Sequence, residues 1–445
     1  MTLRKAAVTA LYVLALVLLG AVAGAFCWLF FFVMDAGIRL LWVVAPAALG
    51  GTPAWWPLVP CTLGGVLVGL FQRRWPGRPR EMREVMARVK RTGRYEYQGV
   101  LVDFVGALTP LLFGGSVGPE AGLVGIIASA CTWVGDRMKF LGREFRDLAQ
   151  AGIVAVLGAM FDAPLYGLAV PVFGTGEERE SMADAKVLVA RPMKIAAYVV
   201  SAASALGVMA GLGSLFGTLG GLPRFSGFQL GTLELALLVP AALAGTLVGW
   251  IMHPAKALCA RLASAVGERP VLRGVIAGVV LGALGCALPF TMFAGEEQAR
   301  QLQEGWQAMT AAPLVATALA KPFVLSLCIA FGWRGGRFFP MIFSGVAMGY
   351  ALALLSGGDP GFCVCACAAA TMGAMMRQPL MAVLLLALCF PVSSLPVMLA
   401  CAALGSVVPN PFCEGRGGHG GAGGGERERH GDDGGERHGD GRLAS

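Results

Sequence analysis

Two short glycine-rich stretches decide how this sequence is interpreted: Gly114–Pro119, which reads GGSVGP, and Gly335–Pro340, which reads GGRFFP. Each ends in a proline and leads into a long apolar segment, a pattern that predicts a sharp turn followed by a helix. Glycine allows the chain to turn tightly, and proline is tolerated in the first helical turn because no N–H is needed there. We therefore expect two helices that begin within apolar surroundings.

The beginning of such a helix is an anion-binding element. Its first N–H groups have no partner within the helix, and the helix dipole adds about half a positive charge. Two such ends that face each other would hold an anion with partial charges alone, which lets the ion both enter and leave. A single glycine turn is more often an ordinary helix start, so the argument depends on the pair. The candidate donors are the backbone amides of Gly115, Ser116, Val117, Gly118, Arg337, Phe338 and Phe339.

The two turns belong to a longer repeated pattern. Phe161–Gly167 (FDAPLYG) follows the first turn, and Met376–Ala382 (MRQPLMA) follows the second. The prolines of the two turns are 221 positions apart, and those of the two later segments are 215 apart. A single match carries little weight in a chain with 64 glycines and 25 prolines. The ordered pair of matches indicates two diverged halves, an arrangement common in membrane transport proteins, whose broken helices surround the substrate.

The composition excludes a water-soluble domain. Of the 445 residues, 56% are apolar and 14% are charged, and the mean hydropathy is +0.69. A bilayer core about 30 Å thick needs roughly 20 apolar residues for each crossing helix, so several apolar runs are long enough to span it. We expect an all-α polytopic membrane protein in the plasma (inner) membrane. The runs are Ala6–Met34, Trp55–Phe71, Val100–Phe113, Ile195–Gly211, Leu233–Met252, Val275–Phe293, Leu314–Phe331 and Cys363–Leu404.

The basic residues indicate membrane topology rather than a nucleic-acid partner. The net charge is +8, and the densest basic cluster lies within Arg73–Arg94. Short positive loops face the cytoplasm, which predicts a cytoplasmic position for this cluster and for the N-terminus with Arg4 and Lys5. The first apolar run is too long for a secretion signal and lacks a convincing cleavage site, so we expect it to be a retained helix.

Four segments divide the chain. We predict a first membrane repeat at residues 1–211, a connecting segment at 212–231, a second repeat at 232–412 and a disordered tail at 413–445, which is rich in glycine and mixed in charge. The twelve cysteines are scattered mostly through apolar runs without metal-ligand spacing, and three of the four histidines lie in the tail. We expect buried thiols, no metal site and no cofactor.

A few charged residues lie within apolar runs, where they usually face a cavity or a partner. Lys321 would raise the local potential for anions, reach the membrane interface, or pair with Glu296 or Glu297. Asp103 is expected to cap a helix or to pair with a basic residue. Tyr166 would share a helix face with the aspartate four residues before it, and is a second candidate for shaping the potential of the pore.

These motifs resemble those of the CLC family of chloride channels and chloride–proton antiporters. Gly115–Pro119 resembles the family's G-[K/R]-E-G-P motif, and Gly335–Pro340 is similar to its G-G-x-F-x-P motif. Phe161–Gly167 resembles F-N-A-P-L-A-G, and Arg377–Ala382 resembles R-A-P-L-T-G, in the family's order. The resemblance implies a two-half inverted repeat with broken helices that meet at the membrane midplane. It also implies a homodimer, surrounded by membrane lipid, with one pore per subunit for chloride or a similar small anion.

The departures from the family motifs bear on mechanism. Val117 occupies the position of a glutamate that gates the pore and carries protons in the family, and valine can do neither. Glu120 lies three residues on, about one helical turn away, and is a candidate substitute. The dipole of its own helix already accounts for a carboxylate there, so we favour a structural role. Glu177 and Glu178 lie near the position of the family's internal proton acceptor, at about Phe173, but out of register.

Two further ligands of the family's central ion site have no evident counterpart. The G-S-G-I-P motif should fall near Gly77–Arg94, which contains no serine, and the late tyrosine is not found after Leu395. The leading hypothesis is therefore a passive anion channel or uncoupled anion transporter. The alternatives are a proton-coupled antiporter that uses Glu120, Glu177 or Glu178, and a non-conducting membrane scaffold. No arrangement of residues typical of an enzyme is visible.

Overall fold

The described part of the chain is helical. In this computed structural model it comprises residues 2–81, 84–85, 88, 95–137, 191–217, 221–387 and 389–412. Within these ranges the β-structure is limited to an isolated bridge between Gly118 and Gly336. The chain as far as Pro409 forms one compact unit, and Asn410–Ser445 is a second. The predicted all-α class is confirmed. The segment boundaries near 211 and 231 remain predictions, and the predicted tail at 413–445 lies outside the described residues.

The helices of the first half lead up to and away from the first glycine turn. Among the residues that the structure describes they are α1 (Thr2–Arg39), α2 (Ala45–Ala48), α3 (Leu58–Arg74), α4 (Val100–Leu112), α5 (Glu120–Arg137) and α6 (Arg191–Phe216). A π-helical turn at Leu40–Val44 joins α1 to the short α2. The first glycine turn is the connection between α4 and α5, as the sequence predicts.

The helices of the second half are arranged around the second glycine turn, which connects the fourth and fifth of them. They are α7 (Thr232–Val266), α8 (Pro270–Ala287), α9 (Glu296–Gly305), α10 (Ala311–Ala330), α11 (Phe338–Ser356), α12 (Pro360–Met376), α13 (Pro379–Leu386) and α14 (Leu395–Val407). The apolar run at Cys363–Leu404 is thus divided among three helices. α12 ends because Arg377 adopts a left-handed backbone conformation, with φ 55°, and Pro379 follows.

Six helical stretches among the described residues are long and apolar enough to cross a membrane. They are Val13–Ala48, Val199–Phe216, Thr232–Val266, Pro270–Ala287, Ala311–Ala330 and Phe338–Ser356. Large apolar side chains such as Leu235 and Leu243 of α7 are exposed, as expected where lipid replaces water. α12 has only 17 residues, and nearly all of them are buried by other helices. The prediction of a multi-pass integral membrane protein is confirmed.

Glycines bring α3 and α8 into backbone contact. Gly65 lies against Gly274, and Gly278 lies against Cys61, so closely that a Cβ on either glycine would overlap a carbonyl group of the partner helix. Helices in lipid associate through close packing, which small residues permit. The indole N–H of Trp333, in the loop before the second glycine turn, donates to the Gly274 carbonyl at 3.1 Å. This helix pair therefore supports the second turn.

The ends of α4 and α10 have the same backbone geometry. The Gly115 amide donates to the Pro110 carbonyl at 2.8 Å, and 218 positions later the Trp333 amide donates to the Cys328 carbonyl at 2.8 Å. The residue before each donor is a glycine with positive φ, +85° in the first half and +96° in the second. Glycine ends helices in this way because it has no Cβ to oppose a left-handed conformation. The predicted two-half inverted repeat with broken helices is confirmed.

The contact between α3 and α8 can be tested by adding one methyl group. We expect Gly65→Ala to lower the free energy of unfolding by about 1–3 kcal/mol, because its Cβ would meet backbone atoms that cannot rotate away. Gly207→Ala in α6 is the matched control, since no described atom lies within 4 Å of its added Cβ. Thermal unfolding in detergent measures both variants. Equal transition temperatures for the two would contradict the proposed close contact.

Candidate functional site

The two glycine turns lie side by side and are joined through their backbones. The Gly118 amide donates to the Gly336 carbonyl at 2.9 Å, and the Gly336 amide donates to the Gly118 carbonyl at 2.7 Å. The Val117 side chain is completely buried and fills the space beside Gly335. α5 and α11 therefore begin next to each other, and the positive ends of both helix dipoles lie in one buried region.

A carboxylate occupies the region between the two helix beginnings. Glu120 is 2% exposed, and its Oε1 accepts a hydrogen bond from the Phe338 amide at 2.8 Å. The amides of Phe339 and of Glu120 itself also face this carboxylate. In the described part of the chain, Oε2 is buried without a hydrogen-bond partner. The first amides of α11 thus hold a negatively charged oxygen, which is what a bound anion would offer them.

Glycine is required on both sides of this carboxylate. A Cβ on Gly336 would overlap the carboxyl group of Glu120, and so would a Cβ on Gly118. A side chain can approach a backbone this closely only where no Cβ intervenes. The two glycines therefore shape the anion-binding region as well as the turns themselves.

Four of the seven predicted amide donors have contacts that divide them into two groups. Phe338 and Phe339, in the second turn, direct their amides at the Glu120 carboxylate. Gly115 and Gly118, in the first turn, donate to backbone carbonyl groups, so their amides are not directed at an ion in this structure. The second turn therefore supplies the amides that face the carboxylate, while Gly115 and Gly118 of the first turn hold the backbone in place.

The side chains of the two turns differ in their surroundings. The Ser116 hydroxyl is completely buried and has no hydrogen-bond partner among the described residues, and the Ser116 amide faces the Cys328 sulfur. The Arg337 guanidinium is partly exposed and lies 3.4 Å from the Glu81 carboxylate. A buried hydroxyl without a partner is costly, so a hydrogen-bond acceptor beside Ser116 would relieve that cost.

Lys321 has different partners from those predicted. It is completely buried, and its Nζ donates at 3.0 Å to each of the carbonyl groups of Phe290, Met292 and Phe293. An ammonium group has three donors, and all three are used by backbone. The predictions that Lys321 reaches the membrane interface or pairs with a glutamate at the start of α9 are therefore wrong. Its effect on the potential of the pore stays a prediction.

Asp103 pairs with a basic residue, as predicted. Its carboxylate lies 3.4 Å from the Arg78 guanidinium, and the Asp103 side chain is almost completely buried. Arg78 also donates to the Gly99 carbonyl at 3.4 Å and lies 3.8 Å from the Glu96 carboxylate. This group of charges fastens the chain segment after α3 to the start of α4.

Three predicted residues lie outside the described part of the chain. They are Tyr166, Glu177 and Glu178, and the aspartate at position 162 lies outside it as well. Their contributions to the potential of the pore or to a proton path remain predictions.

Two apolar residues that the sequence analysis did not single out support the first turn. The Phe293 amide donates to the Gly114 carbonyl at 3.0 Å, with Phe293 at φ 59°. The Trp333 ring packs against Gly115 and Gly64, where a Cβ would also meet the Pro110 carbonyl and the Phe113 side chain, respectively. No local signal marks either residue, because an apolar residue in apolar surroundings is common in a membrane protein.

Comparison with known proteins agrees with this geometry. A family model described as "Voltage gated chloride channel" matches residues 64–410. The "Putative ion-transport protein YfeO" of Salmonella paratyphi A is 28% identical over 334 residues, which cover 71% of this chain and 73% of that protein. The protein of the same name from Escherichia coli SMS-3-5 is 27% identical over 326 residues, with 71% and 72% covered.

Solved structures share the fold. A CLC-type fluoride/proton antiporter superposes with a TM-score of 0.65 at 19% identity, covering 93% of this chain and 97% of that chain. A slow cyanobacterial Cl−/H+ antiporter gives a TM-score of 0.68 at 18% identity, with 89% and 94% covered. At these identities the similarity shows the fold alone.

The hydrogen bond between the Glu120 carboxylate and the Phe338 amide can be tested by measuring anion binding. We expect Glu120→Gln to bind chloride about tenfold more tightly than the unchanged protein, because a neutral amide competes less well for the Phe338 amide than a carboxylate does. Isothermal titration calorimetry at neutral pH measures the affinity. Glu297→Gln removes an equal charge from an exposed position, where the side chain is 60% exposed, and should leave the affinity unchanged. Equal chloride affinities for the two variants would contradict the conclusion that the Glu120 carboxylate occupies the anion-binding amides.

Proposed function

This chain belongs to the voltage gated chloride channel family, the CLC family, and we propose that it carries a small anion such as chloride through the region where α5 and α11 begin. Family membership supports anion transport across a membrane, by a transporter or channel rather than an enzyme. The observation that carries the proposal is the hydrogen bond from the Phe338 amide to the Glu120 carboxylate. An amide that holds a carboxylate oxygen is suited to hold a passing anion.

Glu120 is the proposed gate. Its carboxylate and a transported anion need the same amides, so the two compete for the site. A protonated carboxyl group has no charge and makes a weaker hydrogen bond, so protonation favours entry of the anion. Oε2, which is buried without a partner in the described residues, is the oxygen proposed to take the proton. This proposal extends the structural role favoured from the sequence, since the side chain reaches the second helix as well as its own.

Uncoupled anion conduction is the mechanism that we favour. Val117 cannot carry a proton, and Glu177 and Glu178 are out of register with the family's internal proton acceptor. Proton-coupled anion exchange is a second candidate, favoured by the buried position of Glu120, because a carboxyl group that left the site with a proton would link the two fluxes. The two solved structures described above bear the names of antiporters.

Further parts of the proposal concern the surroundings of the site. The buried Ser116 hydroxyl is proposed as an additional donor to the anion, in place of the serine that Gly77–Arg94 lacks. The functional unit is proposed to be a homodimer in the plasma (inner) membrane, in contact with lipid through the exposed apolar faces of its outer helices.

Chloride efflux from liposomes tests the gate. We expect efflux through the unchanged protein to be at least several-fold faster at acidic than at neutral pH, because protonation neutralises the Glu120 carboxylate. Glu120→Gln should give fast efflux at both pH values, and the control Glu297→Gln should keep the original pH dependence. If Glu120→Gln responds to pH as the unchanged protein does, Glu120 is not the gate. If none of the proteins releases chloride, another anion or a non-conducting scaffold is favoured.

The same liposomes distinguish conduction from exchange. With a chloride gradient imposed and the internal pH recorded, uncoupled conduction predicts chloride release without stoichiometric proton movement. Proton uptake against its gradient, abolished in Glu120→Gln, would replace this mechanism with proton-coupled exchange.

A further inference from the structure

Lys321 is a completely buried charge in the middle of α10, and anion passage as described above does not use it. Its ammonium group is surrounded by the carbonyl groups of Phe290, Met292 and Phe293, each at 3.0 Å. Lys321 also lies over the Phe343 ring of α11, with Nζ 4.6 Å from the ring centroid. A buried ammonium is tolerated only when all its donors are satisfied, and here one short loop satisfies them.

That loop is in direct contact with the first glycine turn. The Phe293 carbonyl accepts from Lys321, and the Phe293 amide donates to the Gly114 carbonyl at 3.0 Å. Phe293 has φ 59°, a conformation that a bulky residue rarely adopts and that its surroundings must enforce. Gly114 begins the turn that leads to Glu120. A single residue therefore connects the ammonium group to the start of the turn.

The repeat places a second buried charge at the equivalent position of the first half. Lys321 lies 218 positions after Asp103, the same offset that separates Phe113 from Phe331 at the ends of α4 and α10. Asp103 is 2% exposed and binds Arg78. In each half, the helix before the glycine turn carries one buried charge that fastens a neighbouring loop. The two charges have opposite signs, so they cannot share an effect on the electrostatic potential. What they share is that each binds a neighbouring loop.

We propose that Lys321 is a positioning residue of the anion site. Its ammonium group holds the loop from Phe290 to Phe293, and the Phe293 amide in turn fixes Gly114 and the first glycine turn. The proposal rests on the proposed function, since the site being positioned is the anion site. Its action is through hydrogen bonds to backbone, so a neutral donor at this position replaces the ammonium better than a charged group of different shape does.

Three substitutions separate hydrogen bonding from charge. Lys321→Met keeps an unbranched side chain one heavy atom shorter and removes both, Lys321→Gln keeps two N–H donors without charge, and Lys321→Arg keeps the charge in a planar group. We expect the chloride concentration for half-maximal flux to rise about tenfold in Lys321→Met, where charged hydrogen bonds are lost, and about threefold or less in Lys321→Gln. Lys321→Arg should resemble Lys321→Met, because its planar group does not match three converging carbonyls.

Ser326→Ala is the matched control on the same helix. The buried Ser326 hydroxyl donates to the Pro322 carbonyl and the Met252 sulfur, which both lie outside the loop, so its loss should leave the half-maximal concentration unchanged. Two outcomes overturn the proposal: Lys321→Met with an unchanged half-maximal concentration, or Lys321→Gln as impaired as Lys321→Met while Lys321→Arg matches the unchanged protein. The second outcome would assign Lys321 a purely electrostatic role.

Hydrogen–deuterium exchange provides a readout that needs no transport. We expect the Phe293 amide to exchange at least tenfold faster in Lys321→Gln than in the unchanged protein, because the loop loses one of its three bonds, and to keep its original rate in Ser326→Ala. An unchanged rate in Lys321→Gln contradicts the proposal even if Lys321→Met does not fold. Absence of flux of chloride and of other small anions through the unchanged protein would refute the proposed function. Normal chloride flux through the unchanged protein, with an unaltered Phe293 exchange rate in Lys321→Gln, would refute only the role of Lys321.

Discussion

The mutual hydrogen bonds between Gly118 and Gly336 are the constraint on which the centre of this protein depends. Within a membrane, backbone amides and carbonyls must find partners in the protein, because no water is available to them. The amides and carbonyls of the two glycine turns find these partners in each other by direct backbone pairing, and glycine permits the close approach that the pairing needs. The pairing brings two positive helix ends together, and it leaves the next amides, those of Phe338 and Phe339, for another acceptor.

In this structure the acceptor comes from the protein itself. Glu120 is the first residue of α5, and its side chain crosses to the first amide of α11, 218 residues later. The carboxylate makes a charged hydrogen bond, which is roughly twice as strong as a neutral one, so the protonation of a single group affects how firmly the site is occupied. The family motif has a gating carboxylate at the position of Val117. Val117 lies against Gly335 and the Glu120 carboxylate lies against Gly336, so the two positions share one region although they are three residues apart in the sequence.

Two kinds of contact hold the glycine turns in place: close helix packing and buried charged side chains. Glycines bring α3 and α8 into backbone contact, and the Trp333 indole joins this pair to the second turn. Asp103 and Lys321 fasten the loops beside the helices that precede the turns. Charges within a membrane are expensive, so their presence at equivalent places in both halves indicates that accurate positioning of the turns outweighs that cost.

The sequence alone determined the class of protein and the identity of the two turns. Hydropathy and run length depend only on local composition, and the Gly and Pro residues of Gly114–Pro119 and Gly335–Pro340 act on their own backbone. The pairing of Asp103 with a basic residue was one of the two roles predicted for it, beside helix capping. The tertiary structure decided what these groups contact: that the Gly118 amide pairs with Gly336, that Glu120 reaches the start of α11, and that Lys321 binds three carbonyl groups. Such contacts join atoms of different chain segments, some of them more than two hundred residues apart. Their geometry follows from how the helices pack, and no local sequence pattern encodes that packing.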